Sequence, residues 1–564
     1  MTNRRNRSTK SHQIIRFPVP VPVPVPVVCF SVSSVKIKLK MLEREGGDIT
    51  YSDMVHHDEP SDIQQFYENS TVFVTGATGF IGRLVVEKLL RVVDNIKIYI
   101  LVRPKKGKEI EKRLEEIFNE PCFEPLKRKR PDFANKVFAI PGDCSEPDVG
   151  LNPDDKRKLV AEVNYVIHCA ATVRFDEKLK TATCINVRAV RDLLRMSRAM
   201  KNLRAIVYMS TAFSNCIRKD IDEKFYTPPL TGEKLLTLVE CLEEEKLDEI
   251  TPILLGKYPN TYVFTKAIAE NVVKEEGKHL PIGIIRPSII IGSVKEPVSG
   301  WIDNFYGATG IFMGAALGLL RSIYGKGENH ADMVPADYVV NAALAAVWDV
   351  ANKKTLNANQ ETQNEETKED KQIPIYNYVC TPERPITWNN FKELSEKHSK
   401  QIPSEMILWH YFFAIRPNLF LHTLAVFFFQ TIPAHIIDFA AVCIGKKPLL
   451  VKGYQKINKF SNVISYFCLR EWDFKNCNTQ RLWKTMKKPD RDLFEFTMKN
   501  LSWDAYFYTY VRGARVYLLK DPLETIPKGY VKLYKVMVAH YCLVGVFILI
   551  GLKLLMMIIN YVLL

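Results

Sequence analysis

Short apolar runs alternate with stretches of helical spacing over the first two thirds of the chain. The run that ends at Gly76 is followed by an apolar stripe through Leu84, Val85 and Leu89, which recurs with the period of a helix. Later apolar runs repeat this alternation, at 97–104, 136–145, 164–175, 205–215 and 281–292. The order predicts βαβ units and a Rossmann-type, doubly wound α/β fold with a parallel sheet over residues 66–400.

The last third of the chain predicts helices and a membrane segment. From about residue 405 the sequence is apolar and aromatic with a helical period, so residues 405–526 are expected to form a mostly helical C-terminal domain. Within it, the run at 419–432 reaches Pro433 after fourteen residues, too few for a bilayer span, and predicts a buried, interfacial or re-entrant helix. Residues 536–564 exceed the roughly 20 apolar residues that a bilayer requires and predict a transmembrane anchor.

Charges around the terminal segment predict its orientation. Lys528, Lys532 and Lys535 precede it, whereas no charged residue follows Lys553. By the positive-inside rule the preceding part of the chain faces the cytosol and the protein is tail-anchored. The endoplasmic reticulum is preferred over peroxisomes, because no terminal peroxisomal tripeptide is present. Three interpretations of Lys553 stay open: it snorkels to an interface, pairs within a homo-oligomer, or marks a segment that lies partly in the interface.

Two segments are too repetitive or too polar to build a core. Residues 1–65 begin with basic residues and a valine–proline repeat. They predict a disordered extension, or an upstream start before a true beginning near Met41 or Met54. Residues 351–372 are polar and acidic, and they predict a flexible loop.

The stretch TVFVTGATGFIG at 71–82 places three glycines between a strand and a helix. In a βαβ unit Gly76 permits the tight turn, Gly79 lets the backbone approach a pyrophosphate, and Gly82 lets the helix pack closely. The helix N-terminus then offers free N–H groups to the phosphates. A glycine-rich loop without a ligand is the alternative. The strand before the loop and the helix after it favour a dinucleotide site, which also includes Thr78, Phe80 and Ile81.

The ends of the next strands indicate which dinucleotide binds. Arg103 and Lys105 stand where an acidic residue would bond a free ribose 2′-hydroxyl, and they would neutralise a 2′-phosphate, which favours NADP(H). A solvated basic strand end is the alternative. Asp143, after the third strand, is a candidate acceptor for the adenine amino group. Ala170 and Ala171, after the fourth, are small enough to lie against the cofactor.

Two later segments carry candidate catalytic residues. The apolar strand AIVYMSTAFSN at 205–215 ends in Ser210 and Thr211. The segment NTYVFTKAIAE at 260–270 places Tyr262 and Lys266 four residues apart, on one helical face. An adjacent ammonium lowers the pKa of a phenol, and a strand-end hydroxyl can orient a carbonyl, so these residues predict a proton relay. His168, inside the fourth strand, is interpreted as a core histidine.

The order of TGATGFIG, the STA strand end, Tyr262 with Lys266, and IRPSIIIG resembles the extended short-chain dehydrogenase/reductase superfamily. With HCAATVRFDE, YVFTKAIAE, PAHIIDF, EWDF and LSWDAYFYTYVRGARVYLLKD added, the chain is similar to alcohol-forming fatty acyl-CoA reductases of the insect type, from about residue 66 to about residue 526. The first motifs specify reductase chemistry only. The C-terminal motifs point to the acyl-CoA branch.

The resemblance implies NADPH-dependent reduction of a long-chain acyl-CoA to a primary alcohol by two hydride transfers through an aldehyde, with release of CoA. Tyr262 with Thr211 or Ser210 would stabilise the oxyanion, with Thr211 favoured over Ser210. Tyr262 would then donate the proton, while Lys266 would lower the Tyr262 pKa and bond the nicotinamide ribose. Pro287, after the sixth strand, would lie beside the nicotinamide.

Two other functions stay open on the residues. A membrane-associated extended reductase that acts on a sterol or nucleotide-sugar carbonyl would keep Tyr262 and Lys266 without depending on CoA. A catalytically silent membrane scaffold would bind NADPH only. Against the scaffold, Thr211, Tyr262 and Lys266 are all present.

Composition narrows the partners. The net charge is +15, but the basic residues are scattered and no nucleic-acid motif is present, so we expect no nucleic-acid binding. An acyl-CoA ester or an anionic lipid surface accounts for the sign equally well. The twelve cysteines show no paired C-x-x-C spacing, which predicts a reduced, cytosol-facing protein without a metal site.

Overall fold

A computed structural model describes residues 60–104, 109–360 and 373–563. Lys105, a residue of the predicted nucleotide site, and residues 1–59 of the predicted extension lie outside the described residues. At the end of that extension the prediction is wrong, because a helix begins at Asp62 and buries Ile63 and Tyr67 in the core.

The central sheet is built from seven parallel strands, which are β1 (Ser70–Thr75), β2 (Ile96–Val102), β3 (Val137–Pro141), β4 (Tyr165–His168), β5 (Ala205–Met209), β6 (Ile282–Pro287) and β7 (Ile375–Tyr378). Their spatial order is β3-β2-β1-β4-β5-β6-β7. Alternate residues of one strand enter different cores: Val72 and Val74 pack on one face and Phe73 on the other. Burial of both faces explains why these strands are almost continuously apolar.

The strand order reverses between β1 and β4, and in such sheets the ligand crevice lies beyond the carboxyl ends of the strands at that point. β4 pairs with β1 on one side and with β5 on the other, so the ends of all three strands lie side by side. The glycine loop follows β1, Ala170 follows β4, and Thr211 follows β5. The sheet therefore brings them to one edge, and the predicted Rossmann-type fold is confirmed.

Helices cover both faces of the sheet and dominate the C-terminal part, as predicted. Up to Gln401, the α-helices are Asp62–Tyr67, Phe80–Val92, Ile110–Phe118, Glu124–Lys129, Pro153–Glu162, Leu179–Thr183, Ala189–Ser197, Gly232–Cys241, Glu244–Leu255, Thr261–Glu276, Ala308–Ala316, Ala336–Gln360 and Trp388–Gln401. The C-terminal α-helices are Leu419–Val426, Ile432–Cys443, Leu450–Cys468, Cys477–Thr485, Lys488–Leu493, Trp503–Gly513 and Ile526–Leu563. Short parallel strand pairs join Ile289–Ile291 to Met333–Pro335, Ser322–Tyr324 to Ala414–Arg416, and Asp220–Ile221 to Asp473–Phe474.

The C-terminal helices pack directly on the chain around the sheet. Helix Trp503–Gly513 approaches the chain so closely that a Cβ at Gly513 would lie 1.8 Å from the Gly300 carbonyl oxygen. On the same helix the buried Tyr510 hydroxyl donates to the Thr309 hydroxyl at 2.9 Å. The Rossmann-type part and the C-terminal helical part therefore pack against each other and share a buried interior.

Two predicted boundaries are wrong. Helix Ala336–Gln360 covers residues 351–360 of the predicted loop, while residues 361–372 lie outside the described part of the chain. The helix that begins at Leu419 does not stop at Pro433 but continues to Cys443. A π-helical turn at Phe427–Thr431 precedes the proline, and this wider turn accommodates a residue that lacks an N–H donor.

The terminal helix Ile526–Leu563 is the most exposed apolar element of the described chain. Among the described residues, two stretches are long and apolar enough to cross a membrane, Leu419–Cys443 and Leu523–Val562. The most apolar part of the second stretch is not buried in the protein, in agreement with the predicted membrane anchor.

Candidate active site

The glycine loop after β1 has no room for side chains at two of its glycines. Gly76 has a φ of +72°, in the left-handed region that favours glycine, and a Cβ there would lie 2.6 Å from the Ala170 backbone nitrogen. A Cβ at Gly82 would lie 2.1 Å from the Gly76 carbonyl oxygen. The loop is therefore closed tightly between β1, the chain after β4, and the helix Phe80–Val92.

The start of that helix can receive an anion. Gly79 precedes the helix without a capping side chain, and no acidic residue lies in the first turn. The free N–H groups and the positive dipole end of the first turn stabilise phosphate charge. Phe80 packs on Trp301 at 5.3 Å between ring centroids, Ile81 is buried and Thr78 is half-buried, so the cradle is held in place. These residues fit the pyrophosphate of a dinucleotide.

Arg103 and Asp143 meet at the edge where β2 and β3 end. Nε of Arg103 lies 3.9 Å from Oδ2 of Asp143, and the Arg103 side chain is 68% exposed. The other carboxylate oxygen of Asp143 accepts the Ser145 backbone N–H at 2.9 Å, which holds the carboxylate at the strand end. The structure brings these two predicted residues together and leaves the guanidinium open to solvent.

The end of β4 lies between the glycine loop and the catalytic residues. His168 is buried, its Nδ1 shares a 2.6 Å hydrogen bond with the Thr75 hydroxyl, and burial, then the charge of Lys266, lowers its pKa to about 3. The prediction of a core histidine is confirmed. Ala170 lies against Gly76, and Ala171 is half-buried beside it.

At the same edge of the sheet, Pro287 is the last residue of β6. It pairs in register with Tyr378, the last residue of β7. The structure therefore places Pro287 at the carboxyl ends of the strands, where the predicted contact with the nicotinamide requires it.

Tyr262 and Thr211 form a pair at the mouth of the crevice. Tyr262 lies in the first turn of helix Thr261–Glu276, whose start is fixed because the Asn260 side chain accepts the Val263 N–H at 3.0 Å. Burial of the phenol raises its pKa to about 12, and the nearby Thr211 hydroxyl opposes part of that rise. Two hydroxyls thus converge where a carbonyl oxygen could be held.

Lys266 contacts the end of β5 instead of the Tyr262 hydroxyl. Its Nζ donates to the Met209 carbonyl oxygen at 2.8 Å and to the Tyr208 hydroxyl at 3.2 Å. Burial lowers the Lys266 pKa to about 8, while Cys169 and Glu270 oppose that shift. The expected lowering of the Tyr262 pKa by Lys266 is wrong for this structure, because burial dominates and the ammonium is bonded elsewhere.

Ser210 is turned away from Tyr262. Its hydroxyl donates to Oε1 of Glu270 at 2.5 Å, whereas the hydroxyl of Thr211, the next residue, lies near the Tyr262 phenol and accepts the Phe213 N–H at 3.3 Å. Successive side chains of an extended segment point in opposite directions, which explains why only one of the two hydroxyls faces the crevice. The geometry favours Thr211 over Ser210 as the oxyanion partner.

The sequence analysis missed a buried ion pair between Glu270, on the helix that carries Tyr262, and Arg286, in β6. Nη2 and Nε of Arg286 donate to the two carboxylate oxygens of Glu270 at 2.6 and 2.9 Å, and both side chains are almost fully buried. Glu270 also accepts the hydroxyls of Ser210 and Ser214, so it fixes the chain that follows β5. Two signals were available: Glu270 lies one turn after Lys266 on the same helical face, and Arg286 interrupts an apolar strand.

Comparison with known families agrees with this geometry. A family model described as male sterility protein, NAD-binding, matches residues 74–343, and a second model with the description male sterility protein matches residues 429–521. Fatty acyl-CoA reductase wat of Drosophila melanogaster is 40% identical over 489 residues, which cover 87% of this chain and 92% of that protein. The chain belongs to the fatty acyl-CoA reductase family.

Vertebrate relatives of this reductase extend the match. Fatty acyl-CoA reductase 1 of Rattus norvegicus is 35% identical over 82% of this chain and 88% of its own length. Fatty acyl-CoA reductase 2 of Bos taurus is 35% identical over 85% of this chain and 90% of its own length. The protein is therefore an oxidoreductase with a nicotinamide-binding domain, and the resemblance seen in the motifs is confirmed.

A solved structure supports the fold of this reductase. The reductase domain of a nonribosomal peptide synthetase from Mycobacterium tuberculosis aligns with a TM-score of 0.52. The alignment covers 82% of this chain and 94% of that domain, at 17% identity. At that identity the likeness concerns the fold alone.

Replacement of Gly82 by alanine tests the glycine cradle. The Cβ would lie 2.1 Å from the Gly76 carbonyl oxygen, so the loop or the helix must shift, and we expect the affinity for the nicotinamide cofactor to fall at least about tenfold. Gly453→Ala is the matched control, since a Cβ in that helix meets nothing within 4 Å. Titration by NADPH fluorescence, with Tm recorded on the same samples, measures both. Unchanged affinity at unchanged Tm would contradict the assignment.

Proposed function

We propose that this protein reduces long-chain fatty acyl-CoA to fatty alcohol with NADPH, through a retained aldehyde and with release of CoA. The observation that carries the proposal is the Tyr262–Thr211 hydroxyl pair at the end of β5, beside the glycine cradle, in a chain 40% identical to a fatty acyl-CoA reductase. No observed feature favours the sterol, nucleotide-sugar or scaffold alternatives.

In the first step the thioester carbonyl oxygen accepts hydrogen bonds from Tyr262 and Thr211. A bound nicotinamide supplies the hydride. These two hydroxyls stabilise the negative charge that develops on the oxygen, because they are held in place before the reaction begins. Collapse of the resulting hemithioacetal oxyanion breaks the carbon–sulfur bond and gives the aldehyde, and CoA leaves as the thiolate, which takes a proton from water.

In the second step the aldehyde carbonyl oxygen accepts hydrogen bonds from the same two hydroxyls, and a second nicotinamide supplies the hydride. Tyr262 donates a proton to the alkoxide oxygen as the alcohol forms. A Tyr262 pKa raised to about 12 keeps the phenol protonated at neutral pH, so that it is ready to act as an acid. The Lys266 ammonium, bonded to Met209, lies one helical turn away and can bond the nicotinamide ribose.

The preference for NADPH over NADH rests on Arg103. Its guanidinium is exposed at the end of β2, where the adenosine ribose of a dinucleotide lies in this fold. A ribose 2′-phosphate would pair with this cation, and Lys105 follows two residues later in the sequence. The Arg103–Asp143 distance of 3.9 Å leaves the guanidinium fork free to turn toward a phosphate.

The terminal helix supports a location on the cytosolic face of a membrane, which we propose to be the endoplasmic reticulum, with peroxisomes as the second address. Its apolar stretch is exposed over most of its length, and the lysines of this helix precede that stretch, apart from Lys553. Acyl chains and fatty alcohols partition into lipid, so an anchored reductase meets substrate and releases product without crossing water.

Tyr262→Phe tests the reaction. Detergent-solubilised wild-type protein given palmitoyl-CoA and NADPH should form fatty alcohol with two NADPH consumed per alcohol, measured by mass spectrometry and absorbance. Loss of the acidic hydroxyl should lower the rate about 10²–10⁴-fold. Tyr530 lies in the terminal helix, and its hydroxyl donates to the Gln401 carbonyl oxygen. The control variant Tyr530→Phe removes this hydroxyl and should leave the rate unchanged. An equally active Tyr262→Phe protein would refute the assignment.

Deprotonation of Lys266 is expected to set the alkaline limb of the pH profile of kcat/KM. Burial lowers its pKa to about 8, so the ammonium is present below pH 8 and is lost as the pH rises through that value. The kcat/KM for acyl-CoA should therefore fall above about pH 8, because it reports groups of the free enzyme. In Lys266→Arg the guanidinium keeps its proton, and the fall should move to higher pH. The same limb in both proteins would show that another group titrates.

A further inference from the structure

The continuous helical segment 419–443 buries its polar residues His422, Gln430 and Asp438 and exposes most of its large apolar residues. Nδ1 of His422 shares a 2.8 Å hydrogen bond with the Ser322 hydroxyl, and Gln430 accepts the Arg321 backbone N–H at 2.8 Å. Asp438 accepts the backbone N–H groups of residues 449–451 at 2.9–3.0 Å. All three side chains are buried: His422 and Gln430 against residues 321–322, and Asp438 against the start of the next helix.

The outward face of the same segment is almost entirely apolar. Phe420 is 68% exposed, Ile436 62% and Phe439 72%. The other large exposed side chains of the segment and of the turn after it are Leu419, Leu421, Leu424, Phe427, Phe428, Phe429, Ile437, Val442, Ile444 and Leu449. We call residues 419–449 the apolar face. A contiguous surface of this kind is unfavourable in water and marks a site that meets another apolar phase.

Charge around the apolar face points to phospholipid. Lys446 and Lys447 in the turn and Lys452 and Lys456 on the next helix are exposed. From residue 417 to residue 470 the only carboxylate is Asp438, which is turned inward. Apolar side chains rimmed by lysines, without exposed acidic groups, fit the acyl chains and phosphates of a bilayer surface.

The apolar face is continuous with the membrane anchor. Phe429 packs on Phe412 at 5.2 Å between ring centroids, and Phe412 packs on His540 of the terminal helix at 5.9 Å. Trp409 donates its indole N–H to Nδ1 of His540 at 3.2 Å. The face therefore lies beside the point where the terminal helix leaves the body of the protein, and both reach the same bilayer surface.

The lysines around the turn disfavour a second span for this segment. The chain turns at 444–449 and returns as helix Leu450–Cys468, which packs against segment 432–443. A spanning hairpin would carry Lys446, Lys447, Lys452 and Lys456 into or across the hydrocarbon, which is costly. An orientation in the plane of the interface leaves those lysines among the head groups.

We propose that the apolar face, residues 419–449, is an in-plane membrane-docking surface that inserts into the cytosolic leaflet and prefers anionic phospholipid. The return helix then connects the leaflet to the active site. At its end Phe467 packs on Phe175 at 6.0 Å, and Phe175 packs on Tyr262 at 5.9 Å. The link to acyl-chain delivery rests on the proposed function, whereas the docking surface does not.

The full chain, reconstituted into vesicles that contain a phospholipid with a photoactivatable acyl chain, tests this proposal. Mass spectrometry should locate lipid adducts on residues 419–449 as well as on 541–562, with fewer adducts on 419–449 when anionic lipid is replaced by phosphatidylcholine. Adducts on the terminal helix alone would overturn docking. Equal labelling in both vesicle types would overturn the head-group preference.

Two variants make the readout specific. Ile436→Glu with Phe439→Glu should reduce adducts on 419–449 at least fivefold and leave those on 541–562 unchanged. Ile253→Glu, at an exposed isoleucine of helix Glu244–Leu255, should change neither.

A membrane-impermeant amine reagent should label Lys446 and Lys447 from the side of the catalytic domain. Protection of both lysines on that side would show a span and overturn the in-plane orientation. NADPH binding, measured in parallel, reports folding independently of turnover.

Discussion

The contact between the turn at Gly76 and the backbone of Ala170 is the constraint on which the site depends. No Cβ fits between them, so β1 and β4 can end side by side only with glycine at this position. That approach sets the width of the crevice at the point where the strand order reverses. The close approach of Gly76 and Ala170 therefore fixes the position of the phosphate cradle on one side of the crevice and of the residues after β5 on the other.

The catalytic side of the crevice is held by buried charge. Glu270 and Arg286 neutralise one another behind the sheet, and Glu270 also binds Ser210, so that Thr211 is left facing Tyr262. Removing one partner of such a pair leaves an uncompensated charge in the interior, which is strongly destabilising. Burial serves chemistry as well: it raises the Tyr262 pKa and keeps the phenol protonated, which suits a proton donor.

Features set by local pattern were predictable, and features set by distant partners were not. The glycine loop, the strands and the Tyr262–Lys266 spacing follow from short-range periodicity. Lys266 donates to the Met209 carbonyl oxygen and to the Tyr208 hydroxyl, and no spacing in the sequence reveals these partners. Passage of the helix through Pro433 depends on a π-helical turn, and the burial of His422 and Gln430 depends on Ser322 and Arg321, which are far away in the chain. The helical period of the apolar residues in segment 419–443 was therefore visible in the sequence, but their orientation toward the surroundings was not.

The central claim is that one pair of hydroxyls serves two successive hydride transfers. The most direct measurement gives the wild-type protein palmitoyl-CoA with NADPH deuterated at the transferred C4 position and counts deuterium at C1 of the product. The account predicts hexadecanol that carries two deuterium atoms at C1, with little free aldehyde. Alcohol with a single deuterium, or singly deuterated aldehyde as the end product, would contradict it.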